Sequence, residues 1–279
     1  MIPKDVQVRY AKLVKTINHY RRLYHVYDQE EISQAALDSL KHELSEIESS
    51  YPEIISKDSP SQRVAGKPLS GFKKVRHSVE QWSFNDAFSP EDLREFDARV
   101  KRQLKPVFPN ADPTYVCELK IDGLKVVLTY EKGVLQTAAT RGDGVVGEDV
   151  THNIRTIESV PLSLERAINI VVEGEVWMSA KSLEQLNKQR KKDGESEFAN
   201  PRNAAAGSIR QLDPKIAASR NLDVYIYDVA ATEETFPATQ FEELEYLREL
   251  GFKVNPHHKL TENVEEAIKF WDAWKSKGR

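Results

Sequence analysis

Two amphipathic stripes open the chain and predict a helical hairpin. In the first stripe, apolar and aromatic residues recur at alternating steps of four and three, which is the period of one face of an α-helix. Its members are Val6, Tyr10, Leu13, Ile17, Tyr20, Tyr24 and Tyr27. The second stripe keeps the same rhythm and consists of Leu37, Leu40, Leu44, Ile47 and Tyr51. Ser33 is suited to cap the second helix and Pro52 to end it. A hairpin of this size is too small to be stable alone.

A change of composition separates this hairpin from the rest of the chain. Residues 57–69 are rich in Pro, Ser and Gly, which is typical of an extended connection between domains. We place the boundary near Gly71. The sequence therefore predicts two domains, residues 1–70 and residues 71–279.

The second domain combines β-rich runs with helical patterns. Strands are predicted at residues 115–119, 125–130, 134–140, 168–177 and 222–229. Helices are predicted at residues 89–104, 180–191, within 203–211, 240–250 and 262–275. Hairpins outnumber strand-helix-strand units, so the sheets are predicted to be mainly antiparallel. The fold class is α+β.

Composition narrows the classes of function. With 279 residues and 39% hydrophobic content the chain is long and apolar enough to bury a hydrophobic core. A formal charge of −4 excludes a protein that coats nucleic acid with a strongly basic surface, but it allows local basic clusters. Cys117 is the only cysteine, which excludes a disulfide or a cysteine-built zinc site within the chain and favours a reducing compartment. The N-terminus has no apolar segment suited to a signal peptide or membrane span, so we expect a cytoplasmic protein.

One lysine has the surroundings expected of a nucleophile. Lys120 lies between Glu118 and Asp122, at the mouth of a predicted hairpin. Lysine attacks only when neutral, so a nucleophilic lysine is expected to be partly buried. If the strand continues, Glu118 and Lys120 point to the same side. The short motif is also typical of a salt-bridged lysine before a turn, so its neighbours decide the interpretation.

A glycine-rich acidic loop follows on the next strand. Gly142, Gly144 and Gly147 allow close turns, and Arg141 can meet a phosphate with a forked pair of donors. A loop that closes over a substrate phosphate is one interpretation. A solvated hairpin loop is the other.

Two further segments carry candidate binding groups. Glu173 and Glu175 share one face of a predicted strand, as expected where carboxylates meet a ribose or a magnesium ion, although exposed strand edges show the same pattern. Arg202 and Arg210 flank a predicted short helix and could grip a phosphate backbone. A capped surface helix is the alternative for that segment.

Taken in order, these motifs resemble bacterial NAD-dependent DNA ligases over essentially the whole chain. The matching segments are residues 117–124, 139–144, 147–151, 174–176 and 198–208. The resemblance implies that the hairpin recognises the nicotinamide mononucleotide half of NAD and that the remainder is a nucleotidyltransferase domain. Lys120 would attack the α-phosphorus of NAD, expel nicotinamide mononucleotide and hold AMP. The AMP would then pass to the 5′-phosphate of a DNA nick.

The resemblance also implies a role for individual residues of the nucleotidyltransferase domain. Glu118 would bond the adenine amino group and Tyr227 would stack on the adenine. Glu175 would contact the ribose or organise Mg²⁺ as a possible metal ligand. Asp122 would position the reacting groups, and Arg141 would hold a phosphate.

The hairpin matches the family at some positions and departs from it at others. Tyr24, His25 and Asp38 match the nicotinamide-side residues of the family. Gln34 stands where an aspartate is expected, and Leu37 stands where a tyrosine is expected. Leu37 falls on the apolar stripe, so packing explains it. We expect these changes to weaken NAD binding or to shift its contacts.

The remaining implications concern DNA and chain length. Arg202 and Arg210 would contact DNA phosphate after adenylation. The family continues with further lysine motifs and domains beyond the last residue of this chain, so we expect a shortened ligase that does not seal nicks alone. The implied cofactors are NAD and Mg²⁺, the implied partner of the complete enzyme is nicked double-stranded DNA, and a monomer is expected.

Three other interpretations stay open from the sequence. An ATP-dependent ligase or capping-type transferase would share the lysine motif but lacks the hairpin that carries Tyr24 and His25. A non-catalytic module could keep Lys120 and bind NAD without chemistry. A structural domain could use Arg202 and Arg210 only to pair with acids.

Overall fold

The fold combines helices with antiparallel strands. The computed structural model describes residues 2–27, 29–64, 69–82 and 85–275. Helices α1 to α9 span, in chain order, Lys4–Tyr27, Gln34–Ser50, Pro90–Leu104, Thr151–Ile154, Ala180–Lys192, Pro201–Ile209, Pro214–Ala218, Gln240–Glu249 and Val264–Lys275. Strands β1 to β8 span Lys74–Arg76, Tyr115–Glu118, Leu124–Glu131, Val134–Thr140, Val146–Glu148, Ile170–Met178, Leu222–Thr232 and His258–Thr261. The paired strands of this described part run antiparallel, which confirms the α+β prediction.

The N-terminal hairpin forms as its stripes predict. Ser33 caps α2, because its hydroxyl oxygen accepts a hydrogen bond from the Ala36 N–H at 3.3 Å. Residues from both stripes form a small core, whose buried members are Tyr10, Leu13, Val14, Ile17 and Leu44. Leu37 packs against this core, which confirms the packing explanation for that position.

The connection after the hairpin is more ordered than predicted. Pro60–Val64 forms a 3₁₀ helix where an extended segment was expected, so that prediction was wrong. The physical reason is Arg63, whose buried guanidinium donates to the main-chain oxygens of Ile157 at 2.9 Å and Val160 at 3.0 Å. Partners so distant in sequence cannot be seen in local composition. Residues 65–68 lie outside the described part.

The chain forms two compact units. The first comprises Met1–Gln81, Ile121–Phe236 and Leu244–Val254, and the second comprises Trp82–Lys120, Pro237–Glu243 and Asn255–Arg279. The division at residues 70 and 71, drawn from composition, stays a prediction.

A four-stranded sheet in the order β4-β3-β6-β7 is the centre of the first unit. Lys132 and Gly133 turn the chain from β3 to β4 with φ angles of 49° and 75°, as the predicted tight turn requires. One face is apolar and buried, and includes Val126, Leu128, Val172, Val176 and Ile226. By strand alternation the other face carries Lys125, Glu173, Glu175, Trp177 and Tyr225.

The second unit contains the strand that leads to Lys120. Its strand β2 pairs with β8, not with β3. The hairpin predicted after Lys120 is formed by β3 and β4, whereas the pairing of β2 was not predicted from the sequence. Strand β8 is only four residues long, which gives too little alternation to identify it as a partner from sequence. Helix α3 begins as predicted, with Ser89 and Asp92 forming a reciprocal capping box.

None of the helices in the described residues is long and apolar enough to span a bilayer.

Candidate functional site

Lys120 lies in the loop between β2 and β3, and its side chain is exposed. The expectation of partial burial was wrong, because β2 ends at Glu118 and the chain leaves the sheet before the lysine. Glu118 itself is half-buried on the last position of the strand. Its carboxylate accepts a hydrogen bond from Gln240 Nε2 at 3.0 Å. Lys120 and Glu118 therefore do not share one face of a continuing strand.

The turn after Lys120 packs tightly against β6. A Cβ atom at Gly123 would lie 2.1 Å from the main-chain oxygen of Val176 and 3.0 Å from Glu175 Cγ. Only glycine fits this approach, and the turn brings the Glu175 side chain next to it. Asp122 is exposed, and its Oδ1 lies 3.8 Å from Arg202 Nη1.

The two acids of β6 have different surroundings. Glu173 is buried, and its Oε2 lies 2.6 Å from Lys125 Nζ. Glu175 is half-buried and stands opposite both Lys125 and Tyr225 in the strand register. Glu173 is therefore held by an internal partner. Lys125 was not identified from the sequence, because its pairing depends on the register of two strands.

The glycine-rich segment forms a folded turn. Gly142 has a φ of 59°, and a Cβ there would lie 1.9 Å from the main-chain oxygen of Val146. The Asp143 carboxylate accepts hydrogen bonds from the N–H groups of Val145 at 2.9 Å and Val146 at 2.7 Å. These backbone bonds, the Val146 bond first, lower the pKa of Asp143. The half-buried Arg141 leads into this turn.

Aromatic side chains lie on β7 and its neighbour. The register shifts between Glu173 and Gly174, so that Tyr227 is the additional residue of a β-bulge in β7. Close by, the rings of Trp177 and Tyr225 stack with centroids 5.4 Å apart and planes at 9°. Tyr227 was predicted from the sequence, whereas this stacked pair was not.

Both predicted phosphate-contacting arginines are exposed and carry acidic neighbours. Arg202 is part of α6, so it does not flank the helix as predicted, whereas Arg210 caps its C-terminal end. Arg210 Nε lies 3.1 Å from Glu148 Oε2. Exposed ion pairs of this kind contribute little stability and exchange partners readily.

A cavity of about 280 Å³ lies beside the hairpin. Its lining includes Tyr24, His25, Leu37 and Glu158. The Tyr24 side chain is exposed, and its ring meets the His25 ring edge to face at 4.9 Å. Asp38 is exposed and pairs with Lys41 on α2 at 3.1 Å. The side chain of Gln34 lies outside the described part.

Glu158 is a member of this cavity that the sequence did not reveal. It pairs with Arg21, and its Oε2 lies 3.7 Å from His25 Nε2 and 3.8 Å from Arg63 Nε. Burial raises the pKa of Glu158, but Arg63 and Arg21 outweigh burial and hold it below its ordinary value. Burial lowers the pKa of His25, and Glu158 opposes this. Glu158 and Arg21 are 137 residues apart in sequence, so no local signal links them.

Comparison with known proteins settles the family. A model of the NAD-dependent DNA ligase adenylation domain matches residues 69–279. The chain belongs to this family. A model of the DNA ligase-like N-terminal NAD⁺-binding domain matches residues 3–65, which include the helical hairpin, and this match disfavours the ATP-dependent alternative. NAD is the cofactor of these domains.

Individual relatives agree. A DNA ligase of Anoxybacillus flavithermus is 48% identical over 270 residues, which cover 97% of this chain and 39% of the relative. A DNA ligase of Thermotoga neapolitana is 45% identical over 278 residues, which cover 100% of this chain and 40% of the relative. A DNA ligase of a Thermoanaerobacter species is 49% identical over 265 residues, which cover 95% of this chain and 39% of the relative. The chain thus spans about 40% of the length of these curated relatives.

Mg²⁺ is standard for NAD-dependent ligases, and the chemistry of the site fits it. The part of the chain that the structure describes has no group of three or more His, Cys, Asp or Glu side chains arranged to hold a metal ion. Mg²⁺ in nucleotide sites needs only one or two carboxylates, because phosphate oxygens and water complete its shell. A half-buried carboxylate such as Glu175 suits that requirement.

Proposed function

We propose that this chain transfers AMP from NAD to Lys120. The Nζ lone pair forms a bond to the α-phosphorus, and the bond from that phosphorus to the bridging oxygen breaks. Nicotinamide mononucleotide leaves with the electron pair, and Nζ loses a proton. AMP stays on the enzyme as a phosphoramidate.

The observation that carries this proposal is a grouping in the first unit. Asp122, Arg141, Glu175 and Tyr227 come from separate segments and lie around the same part of the central sheet. Gly123 packs the turn of Asp122 against Glu175, and the Arg141 N–H donates to the Lys125 main-chain oxygen at 3.3 Å. Tyr227 lies in the bulge opposite Glu173. Such convergence of polar and aromatic groups is typical of a ligand site.

We propose the following roles for these residues and for Glu118. Tyr227 stacks on the adenine, and Glu118 accepts a hydrogen bond from its amino group. Glu175 accepts a hydrogen bond from the ribose or holds the metal. Arg141 binds a phosphate, and Asp122 positions the reacting groups. Mg²⁺, when bound, neutralises the charge that develops on the phosphates.

We propose that the hairpin cavity receives the nicotinamide half of NAD. Tyr24 offers an exposed aromatic surface, and His25 offers a ring nitrogen held near Glu158. Asp38 supplies a carboxylate from α2. Leu37 lines the cavity with an apolar side chain where the family has a tyrosine, so we expect this contact to be apolar. We therefore propose two domains: residues 1–70, which bind the nicotinamide half of NAD, and residues 71–279, which carry the adenylation site.

The later steps belong to a complete ligase. We propose that Arg202 and Arg210 exchange their acidic neighbours for phosphates of nicked double-stranded DNA, to which AMP passes during replication and repair. We further propose that the chain is a cytoplasmic monomer.

Intact-mass spectrometry after incubation with Mg²⁺ and either NAD or ATP tests the proposal. An AMP-sized adduct is expected from NAD and not from ATP, and Lys120→Ala is expected to abolish it. Lys188→Ala is the matched control, because Lys188 is an exposed lysine paired on a helix surface with Glu184. NAD binding without an adduct would instead establish a non-catalytic nucleotide-binding module.

A further inference from the structure

The central sheet holds a buried ion pair that the proposed mechanism does not use. Lys125 Nζ and Glu173 Oε2 are 2.6 Å apart, and their side chains are only 15% and 8% exposed. Lys125 stands directly opposite Glu175 in the β3–β6 register. Glu173 and Glu175 are two residues apart on β6 and therefore share one face. The Lys125 ammonium group thus lies on the face that carries both carboxylates of β6.

The pair stands among the proposed nucleotide-binding groups of the first unit. The Lys125 main-chain oxygen accepts the hydrogen bond of the Arg141 N–H at 3.3 Å. The register partner of Glu173 is Asp228, which directly follows Tyr227. Directly paired residues of neighbouring strands have Cβ atoms about 5 Å apart, so a lysine at position 125 is within reach of Glu175.

Fold stability alone does not call for a lysine here. A buried ion pair recovers little more than the cost of removing both charges from water, and apolar residues of similar volume often replace it without loss. The same face could therefore be packed with apolar side chains. What an apolar pair cannot supply is a fixed positive charge beside Glu175.

We propose that Lys125 is a positioning residue for the nucleotide: its ammonium group, anchored by Glu173, orients the Glu175 carboxylate to accept hydrogen bonds from the ribose hydroxyls of adenosine. The inference rests on the proposed role of Glu175 in nucleotide binding. It gives Glu173 a role too, as the anchor that keeps Lys125 on this face.

Calorimetric binding of AMP and of its 2′,3′-dideoxy analogue separates positioning from packing. The wild-type chain is expected to bind AMP about tenfold more tightly than the analogue, because hydrogen bonds to a charged acceptor are lost with the hydroxyls. The double variant Lys125→Met/Glu173→Met leaves no unpaired buried charge, so its thermal midpoint is expected to stay close to that of the wild type. Its affinity for AMP is expected to fall to that for the analogue.

Two further variants complete the test. Lys125→Arg keeps the cation and is expected to keep most of the preference for AMP. Lys188→Met/Glu184→Met removes a lysine–glutamate pair of the same 2.6 Å separation from the surface of α5, and is expected to leave the preference unchanged. A folded Lys125→Met/Glu173→Met variant that retains the wild-type preference for AMP would overturn the inference.

The test of Lys125 can fail while the proposed transfer of AMP to Lys120 holds, because the two are measured separately. Adduct formation on Lys120 reports on AMP transfer, whereas the ratio of the two affinities reports on ribose recognition. Wild-type protein that forms the adduct but does not distinguish AMP from the analogue contradicts only the role of Lys125. Wild-type protein that neither forms the adduct nor binds either nucleotide contradicts both the proposed function and the role of Lys125.

Discussion

Arg63 is the residue on which the fold of the connection depends most. It is buried, and its guanidinium donates to the main-chain oxygens of Arg155, Ile157 and Val160 at 3.2, 2.9 and 3.0 Å. Burial lowers the pKa of Arg63 to about 10, so the group stays charged at neutral pH. Among the described contacts the main-chain oxygens of Arg155 and Val160 have no other donor, whereas the Ile157 oxygen also accepts the Val160 N–H at 3.1 Å.

Arg63→Met is expected to destabilise the chain strongly. The main-chain oxygens of Arg155 and Val160 would be left without a donor among the described contacts, and each unsatisfied group costs about 1–3 kcal/mol, so the free energy of unfolding is expected to fall by about 2 kcal/mol or more. Urea unfolding measures this. Arg9→Met is the control, because the Arg9–Glu43 pair is exposed and is expected to matter little. Equal midpoints for both variants would refute the anchoring role.

His25 makes stability depend on pH. Burial lowers its pKa below the ordinary value, so the unfolded chain takes up a proton at higher pH than the folded chain. The contribution of His25 is complete above its ordinary pKa of about 6.5 and is lost as pH falls through the lower folded value. Wild type is therefore expected to lose more unfolding free energy than His25→Gln between about pH 7.5 and about pH 5.5. A wild-type chain that gains stability relative to this variant on acidification would contradict the assignment.

At this scale the sequence predicted residue types better than their surroundings. The motif around Lys120 and the strand face with Glu173 and Glu175 came from local spacing, whereas Tyr227 and the specific role of Glu175 came from the family resemblance. The exposure of Lys120 came from neither, because it depends on where β2 ends. Glu158 and Lys125 escaped notice because their partners come from other parts of the chain, and a single sequence does not record such pairings.

The C-terminal end of α8 shows how an element depends on one glycine. Gly251 has a φ of 97°, and a Cβ there would lie 2.8 Å from Nε of the buried Arg22 on α1. Arg22 also pairs with Glu165 and donates to the Ser163 main-chain oxygen at 2.5 Å. The glycine therefore allows both the left-handed helix end and the packing of α1 against it.

Gly251→Ala is expected to destabilise the chain more than Gly194→Ala does. Gly194 ends α5 with a φ of 74° and has open space around it, so alanine there costs only left-handed strain, about 1 kcal/mol. At Gly251 the buried arginine must also move, which is expected to add about 1 kcal/mol or more. Thermal unfolding of the two variants gives the difference. Equal destabilisation would show that Arg22 does not constrain this helix end.

Long periodic elements were predicted well and short ones were not. The stripes of α1 and α2, the capping signals of α3 and the turn between β3 and β4 are local features, and their predictions were confirmed. Strands β1, β5 and β8 have three or four residues, too few to show a period of two. Because β8 is one of these short strands, the partner of β2 could not be predicted from the sequence.

For the whole molecule, net charge and local charge act against each other. The chain carries a formal charge of −4, so any attraction to DNA must come from local cations. If Arg202 and Arg210 each contact one phosphate, the double variant Arg202→Ala/Arg210→Ala is expected to weaken binding to a nicked duplex and to reduce the salt slope by about 2. Fluorescence anisotropy over a salt series measures this. Arg94→Ala, an exposed arginine of α3, is the control, and an unchanged slope in the double variant would refute the phosphate contacts.

The division of the molecule was the hardest feature to predict. Both compact units are assembled from three separate stretches of chain, and one of the changes from one unit to the other falls between Lys120 and Ile121. Composition reports only the linear order of segments, so it could place a boundary near Gly71 but not a unit built from three stretches.

The central claim is that Lys120 takes AMP from NAD, and its most direct test is to locate the AMP. The wild-type chain would be incubated with NAD and Mg²⁺, digested, and mapped by tandem mass spectrometry while released nicotinamide mononucleotide is quantified. The account predicts AMP on Lys120 and one nicotinamide mononucleotide for each modified chain. AMP on any other residue, or release of nicotinamide mononucleotide without a modified lysine, would contradict it.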